Sequence, residues 1–308
     1  MSVIWYSHDA GRDHRTPAGH PEQIARLDSV ERGLSGLGLE RRSAPECTDD
    51  DILLVHPQRY LDRVTEASPE RGSIALDGDT HMSPGTLNAA RRGVGGNIAA
   101  VDAVLDDEAK AAFVGCRPPG HHAETETSMG FCLFGNVVIA AKHALERHHL
   151  HRVAIVDFDV HHGNGTQDLL WNDERVLFVS SHQMPLYPGT GAEHETGAHG
   201  NVLNVPLAPR TGGAEMRRAY EEVVFPRLDG FAPELLLISA GFDAHAADPL
   251  AELNWDEDDF TWLTERLCGI AAAHCEGRIV STLEGGYDLD ALADSVRAHV
   301  DVLKGASA

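Results

Sequence analysis

Cysteine is scarce and poorly placed for bridging: five residues (47, 116, 132, 268 and 275), an odd number with no CxxC pair. That excludes a disulfide-framed scaffold and predicts reduced thiols in a cytoplasmic protein. Lysine is confined to positions 110, 142 and 304, and Asp plus Glu outnumber Lys plus Arg by 48 to 25, a net charge of −23. Phosphate binding needs clustered basic side chains, so nucleic acid is not expected as a direct partner. The charge would favour encounter with cationic substrates instead. No apolar run approaches the length of a membrane span, and no membrane partner is expected. The opening Met-Ser-Val-Ile-Trp-Tyr has neither the basic start nor the apolar segment of a secretory leader. Linkers, internal repeats and low-complexity tracts are missing too. The 308 residues, 42% of them hydrophobic, are therefore expected to form one domain spanning 1–308.

What the chain does contain is an alternation of short β-branched runs and helical apolar periodicities. Strands are expected at 3–6, 111–115, 153–157, 176–180, 202–205, 234–239 and 278–283. Helices are expected at 21–34, within 50–66, and at 85–105, 135–147, 164–171, 213–228, 256–274 and 288–303. The stretch 68–85 is rich in Gly, Ser, Asp and Pro and reads as a loop, with Asp77-Gly-Asp79-Thr80 as turn chemistry. Strands alternating with helices imply an α/β fold with a central parallel sheet flanked by helices. In such sheets ligands bind beyond the carboxyl ends of the strands. Four strand ends here carry His121-His122, Asp157/Asp159/His161, Asp243 and Tyr287, a placement that scattered structural residues would not produce.

The centre of that set follows the strand 153–157. Asp159 and His161 are two apart, so on an extended backbone they point the same way, half of a site for zinc or a similar ion. Asp243 would bring the protein ligands to three and leave positions open, as a catalytic ion requires. Such an ion activates water and polarises a carbonyl. His121 and His122 are suited to move a proton from water to a leaving amine. Asp157 and Asn164 can each accept from an imidazole N–H and fix its tautomer. Tyr287 can donate to a developing oxyanion. Together these parts describe metal-assisted hydrolysis of an amide.

Arg117-Pro-Pro-Gly-His-His, Gly130-Phe-Cys, Asp157-Phe-Asp-Val-His-His-Gly-Asn-Gly-Thr-Gln, Ala240-Gly-Phe-Asp243 and Leu283-Glu-Gly-Gly-Tyr287 occur in that order. They resemble the zinc-dependent histone deacetylase family over about residues 18 to 300. Asn164 and the Glu-Gly-Gly-Tyr form are similar to its class II branch and bacterial members. The resemblance implies a single-domain arginase/deacetylase-like fold, with zinc on Asp159, His161 and Asp243. It implies His121 and His122 as the histidine pair, the second as main general base and acid, with Tyr287 polarising the carbonyl. It also implies an acyl-lysine tunnel at Gly130 and Phe131, faced by Tyr187 where the family usually has phenylalanine. A structural potassium ion would use Asp157, the carbonyls of Asp159 and His161, and the Ser180–Ser181 pair. Arg26 matches an arginine on an internal channel, although composition alone makes it a surface residue.

Where class I members of the family have aspartate behind the second histidine, this chain has Asn164, which should leave His122 less basic. Leu250, seven residues after Asp243, falls where polyamine-selective relatives carry glutamate. The expected substrate is therefore an acetylated lysine of a peptide or protein. An acetylated polyamine is the alternative, and an oligomer is compatible with either.

Other features read as structure. Asp243-Ala-His245-Ala-Ala-Asp248 offers extra ligands for a two-manganese, arginase-like centre, but histidines stand where bridging carboxylates are needed. A non-catalytic acyl-lysine binder would have lost a ligand, a histidine or the tyrosine, and all are present. Arg147-His-His-Leu-His151 resembles a metal cluster, yet at a helix C-terminus basic side chains complement the dipole. Cys132 reads as a packed thiol.

Overall fold

A computed structural model describes residues 3–307. Its first part runs β1 (Val3–Ser7), α1 (Ala25–Leu34), β2 (Glu40–Ser43), α2 (Asp49–Ile52) and α3 (Gln58–Glu66). Then come β3 (Ile74–Ala75), β4 (His81–Met82), α4 (Thr86–Leu105), β5 (Ala111–Val114) and α5 (Asn136–Arg147). The central stretch is β6 (Val153–Asp157), α6 (Asn164–Leu170), β7 (Val176–Gln183) and β8 (Val202–Leu207). The rest comprises α7 (Gly213–Ala219), α8 (Phe225–Phe231), β9 (Leu235–Ala240), α9 (Glu257–His274), β10 (Ile279–Leu283) and α10 (Leu289–Ala306).

Eight strands form one parallel sheet in the order β2-β1-β5-β10-β9-β6-β7-β8. Side-chain alternation splits it into two apolar faces. Ile4, Ala112, Ile155, Phe178, Leu237 and Val280 point to the face covered by α4 and α5. Trp5, Phe113, Val156, Val179, Ile238 and Ile279 point to the face covered by α1, α9 and α10. The sheet is thus a single domain's core, sandwiched by helices as the alternation implied. Its four middle strands, β5, β10, β9 and β6, are adjacent. Their carboxyl ends therefore deliver loops 115–135, 284–288, 241–256 and 158–163 to one place.

Several expectations are corrected. The charged segment Glu40-Arg-Arg-Ser43 is a strand, β2, at the sheet edge and largely exposed; charge on an edge blunts pairing with other chains and hides the strand from a hydrophobicity reading. Loop 68–85 holds the small antiparallel pair β3–β4. Helix 213–228 is interrupted by a π-helical turn at Tyr220–Val224, just before Pro226. Proline lacks the N–H that an α turn needs there, and a widened turn absorbs the defect. Helix α1 begins at Ala25 and not at Pro21.

Helices α1 and α10 approach so closely at Gly33 that an added Cβ would lie 2.2 Å from the Ala293 carbonyl oxygen. Gly33→Ala should overpack this crossing and lower urea-unfolding stability by about 1–3 kcal/mol. Gly230→Ala in α8, where a Cβ meets nothing within 4 Å, should be neutral or stabilising by up to about 1 kcal/mol through helix propensity. Equal effects at the two sites would contradict the packing described.

Candidate metal centre and substrate pocket

The strand β6 ends at Asp157, and the chain leaves the sheet as an irregular loop through His161 before α6 begins at Asn164. Asp159 and His161 therefore meet through a loop and not through the extended backbone that their spacing suggested. Asp243, in the loop after β9, reaches the same point. One ligand atom from each of Asp159, His161 and Asp243 lies within 4.8 Å of the others, and all three residues are buried. His161 Nδ1 is 3.1 Å from Asp159 Oδ1 and 3.1 Å from Asp243 Oδ2.

Two buried carboxylates facing one another need a compensating positive charge. Burial, then the charge of Asp159, raises the carboxyl pKa of Asp243. Burial works against a charged His161, but hydrogen bonds to Asp159 and Asp243 outweigh it and hold its pKa up at about 10. The proton so captured sits where a cation would sit. Backbone clearance fits the same reading: a Cβ on Gly285 would lie 2.1 Å from Asp243 Oδ2, and one on Gly241 2.1 Å from Asp159 Oδ2. Two carboxylates and one imidazole are a donor set suited to zinc, and the residues fit such an ion.

His121 and His122 come from the loop after β5, with ring centroids 4.0 Å apart. Their environments differ. His121 Nδ1 is 2.9 Å from Asp157 Oδ2. Burial disfavours the His121 imidazolium, but Asp159 and Asp157 outweigh it and raise its pKa well above the usual histidine range. His122 Nδ1 is 2.7 Å from the side-chain oxygen of Asn164. Burial, followed by the charges of His121 and His161, holds His122 well below that range. The Asn164 amide is oriented by donating from Nδ2 to Glu124 Oε1 at 2.7 Å. Its oxygen therefore faces His122, whose Nδ1 must carry the proton and whose Nε2 is left with a lone pair.

Tyr287, after β10, is buried; burial lifts its hydroxyl pKa well above the usual tyrosine range, so it remains a donor. Its backbone N–H donates to Asp248 Oδ2 at 2.7 Å. Asp248 is thus tied to Tyr287 and is no extra metal ligand, while His245 Nε2 faces Glu257 at 3.4 Å. These contacts agree with setting aside the arginase-like reading of that segment. Arg26 is fully buried, with its guanidinium carbon 4.9 Å from the Tyr287 ring centre, so the surface reading of that residue fails.

A pocket of about 370 Å³ opens above these groups, lined by His122, His161 and Tyr287 below and by Gly130, Phe131, Leu186, Tyr187 and Leu250 higher up. Phe131 holds a left-handed backbone (φ 69°), strained for a bulky residue, which turns its ring edge-on to Tyr287. Tyr187 is 39% exposed and stands edge-on to His122, so it forms rim more than wall. Asp157 pairs across the sheet with Ser180, whose hydroxyl is 3.0 Å from His182 Nδ1. The Ser181 hydroxyl pairs with the Tyr220 hydroxyl at 2.7 Å.

Sequence reasoning missed Glu124 behind Asn164 and the rim residues His20, Asp79 and His81. It also missed Glu284, whose Oε2 accepts from the N–H groups of Gly120 at 2.7 Å and His121 at 3.2 Å. The Asp77-Gly-Asp79-Thr80 turn was the available signal for the rim: Thr80 Oγ1 accepts the Phe131 N–H at 3.0 Å.

The histone deacetylase domain signature matches residues 20–303. A histone deacetylase-like amidohydrolase of Pseudomonas aeruginosa is 43% identical over 279 residues, covering 88% of this chain and 73% of the relative. A probable deacetylase of Archaeoglobus fulgidus is 38% identical, covering 92% and 80%. Rice histone deacetylase 10, named as chloroplastic, is 39% identical, covering 95% and 71%. The solved HDA15 HD domain superposes with a TM-score of 0.92 at 32% identity, covering 99% of this chain and 91% of that one.

Replacing Asn164 by Asp would set a carboxylate against His122 Nδ1. The imidazolium pKa should then rise, read as a shift of the His122 ring-nitrogen resonances in a pH series. An unchanged titration would mean that Asn164 does not face Nδ1.

Proposed function

Because the chain belongs to the histone deacetylase family, we propose that it is a zinc-dependent amidohydrolase that deacetylates lysine side chains of peptides or proteins. The observation that carries this reading is the buried Asp159–His161–Asp243 cluster at the floor of an apolar pocket, flanked by two histidines tuned in opposite directions. When bound to those three residues, zinc would supply Lewis acidity and make water nucleophilic at neutral pH.

The chain's own groups would do the rest. Phe131, Tyr187 and Leu250 would clasp the apolar stem of the acyl-lysine, with the carbonyl beneath. Neutral His122, with its free Nε2, would take the proton of the attacking water and return it to the leaving amine. His121, protonated against Asp157, would keep positive charge beside it without competing for that proton. The Tyr287 hydroxyl would donate to the oxyanion as it forms. A structural potassium ion at the end of β6 would be held by the fully buried Asp157 carboxylate, whose pKa burial lifts to about 6. The carbonyls of Asp159, His161 and Ser181 and the Ser180 hydroxyl would complete the site. The cysteines at 47, 116, 132, 268 and 275 are all unpaired, which supports a reducing compartment such as the cytoplasm. No helix among the described residues is long and apolar enough to cross a membrane.

Tyr287→Phe should cut turnover on the order of 10²–10³-fold with zinc content unchanged, measured on an acetyl-lysine peptide alongside metal analysis. A loss below about tenfold would leave the carbonyl without help from this hydroxyl.

The competing substrate is an acetylated polyamine, and Asp79 at the rim is the observation that favours it, since a carboxylate there could meet a second ammonium. Leu250, in the loop beside Asp248, lines the same pocket and offers no charge. We expect acetyl-lysine peptides to outrun acetylspermidine in kcat/KM, and Leu250→Glu to move the ratio towards the polyamine by a few-fold, about 1 kcal/mol for a partly exposed pair. A wild type that already prefers acetylspermidine would reverse the assignment.

A further inference from the structure

We propose that Asp102, His143 and His148 form a second, surface-accessible site for a borderline divalent cation such as zinc, tying the C-terminal turn of α4 to the C-terminus of α5. It does not depend on the catalytic reading, since none of the three residues touches the pocket.

The histidine run at 147–151 looked like simple dipole complementation. The fold separates its members: His149 takes a left-handed backbone (φ 58°), while His148 alone turns back towards α4. It meets His143, five residues earlier on the same helix, with ring centroids 5.5 Å apart. Both rings present Nε2 to a single carboxylate oxygen, Asp102 Oδ1, each at 2.7 Å. One ligand atom from each of the three lies within 4.8 Å of the others, as in the buried cluster.

Two neutral imidazoles and one carboxylate are the donors that zinc selects among biological divalent ions. Nε2 is an ordinary ligating atom, available once the ring proton moves to Nδ1. The side chains are 12%, 22% and 44% exposed for His143, His148 and Asp102, so an ion can enter and a coordination position can face water. Asp102 lies in the last turn of α4, where a carboxylate opposes the helix dipole and gains from a cation. One feature sets the strength. His143 Nδ1 is buried without a protein partner, so ligation through Nε2 leaves its N–H without an acceptor, and a hydrogen bond behind a ligating ring is worth roughly 10–100-fold in affinity. The surface site should therefore bind more weakly than the buried cluster.

The test is zinc titration of metal-free protein, by calorimetry and by metal analysis after gel filtration. Wild type should take up two ions, one tight and one weaker, and the weaker should raise the melting temperature, as a ligand of the folded state does. His148→Ala and, independently, His143→Ala should bind one ion with amidase activity unchanged, which also shows that each variant is folded. Asp159→Ala should keep only the weaker ion, and Asp159→Ala with His148→Ala should bind none. The proposal is overturned if wild type saturates at one ion, or if the second ion persists in either histidine variant and so sits elsewhere. Loss of no ion in Asp159→Ala would instead count against the buried cluster and leave the surface site standing.

Discussion

Two carboxylates that cannot both be left unpaired in a dry interior, Asp159 and Asp243, set the terms for the rest of this protein. Each is buried, and each is within 3.1 Å of the same imidazole nitrogen. Charge of this kind is tolerated only where a cation or proton answers it and where backbone dipoles are aimed at it. The second condition is visible throughout the floor. Asp159 Oδ2 accepts the Gly285 N–H at 2.8 Å, and Asp243 Oδ1 accepts the Val160 N–H at 3.0 Å. Each loop that brings a functional side chain thus also brings a donor that steadies the neighbouring loop.

Beneath the floor lies a second buried charge system that does mechanical service. Glu22 is fully buried and receives the Arg117 guanidinium in a two-pronged pair, together with His14 Nε2 at 3.1 Å. Burial alone would raise the Glu22 carboxyl, but Arg117 and His14 outweigh it and hold it well below the usual range. Arg26 shares Glu22 and also donates to the carbonyl of Gly286 at 2.7 Å. The segment ahead of α1, the start of the 117–122 loop and the Gly-Gly-Tyr turn are thereby pinned together. Removing one partner would strand a buried charge, typically a loss of about 3–5 kcal/mol.

Much of this was legible in the chain. The buried strands were visible because β-branched runs end abruptly in Asp, His and Gly, and the five ordered motifs singled out the pocket floor. What escaped notice shares one physical cause: it depends on partners remote in sequence. Edge strand β2 is charged and takes its conformation from pairing with β1. Arg26 looks like any helix-surface arginine until Glu284 and Gly286, some 260 positions on, supply its acceptors. Glu124 acts only through an amide 40 positions away. His148 gains meaning from a carboxylate on a different helix. Hydrophobic period reports which face a segment buries, not which polar group it will meet.

The position of β10 has a consequence for how the protein comes into being. It is the last strand of the sheet in chain order among the described residues, yet it lies in the middle, between β5 and β9. Until it is synthesised, β2-β1-β5 and β9-β6-β7-β8 are two half-sheets with open inner edges. Such edges invite misplaced pairing, and contacts spanning this much sequence form slowly. Asp159, His161 and Asp243 follow β6 and β9, which pair directly in the later half-sheet, whereas His121 and His122 follow β5 in the other half. The final strand is thus the keystone that sets the histidine pair beside the buried carboxylates, and the pocket floor is complete only when it is in place.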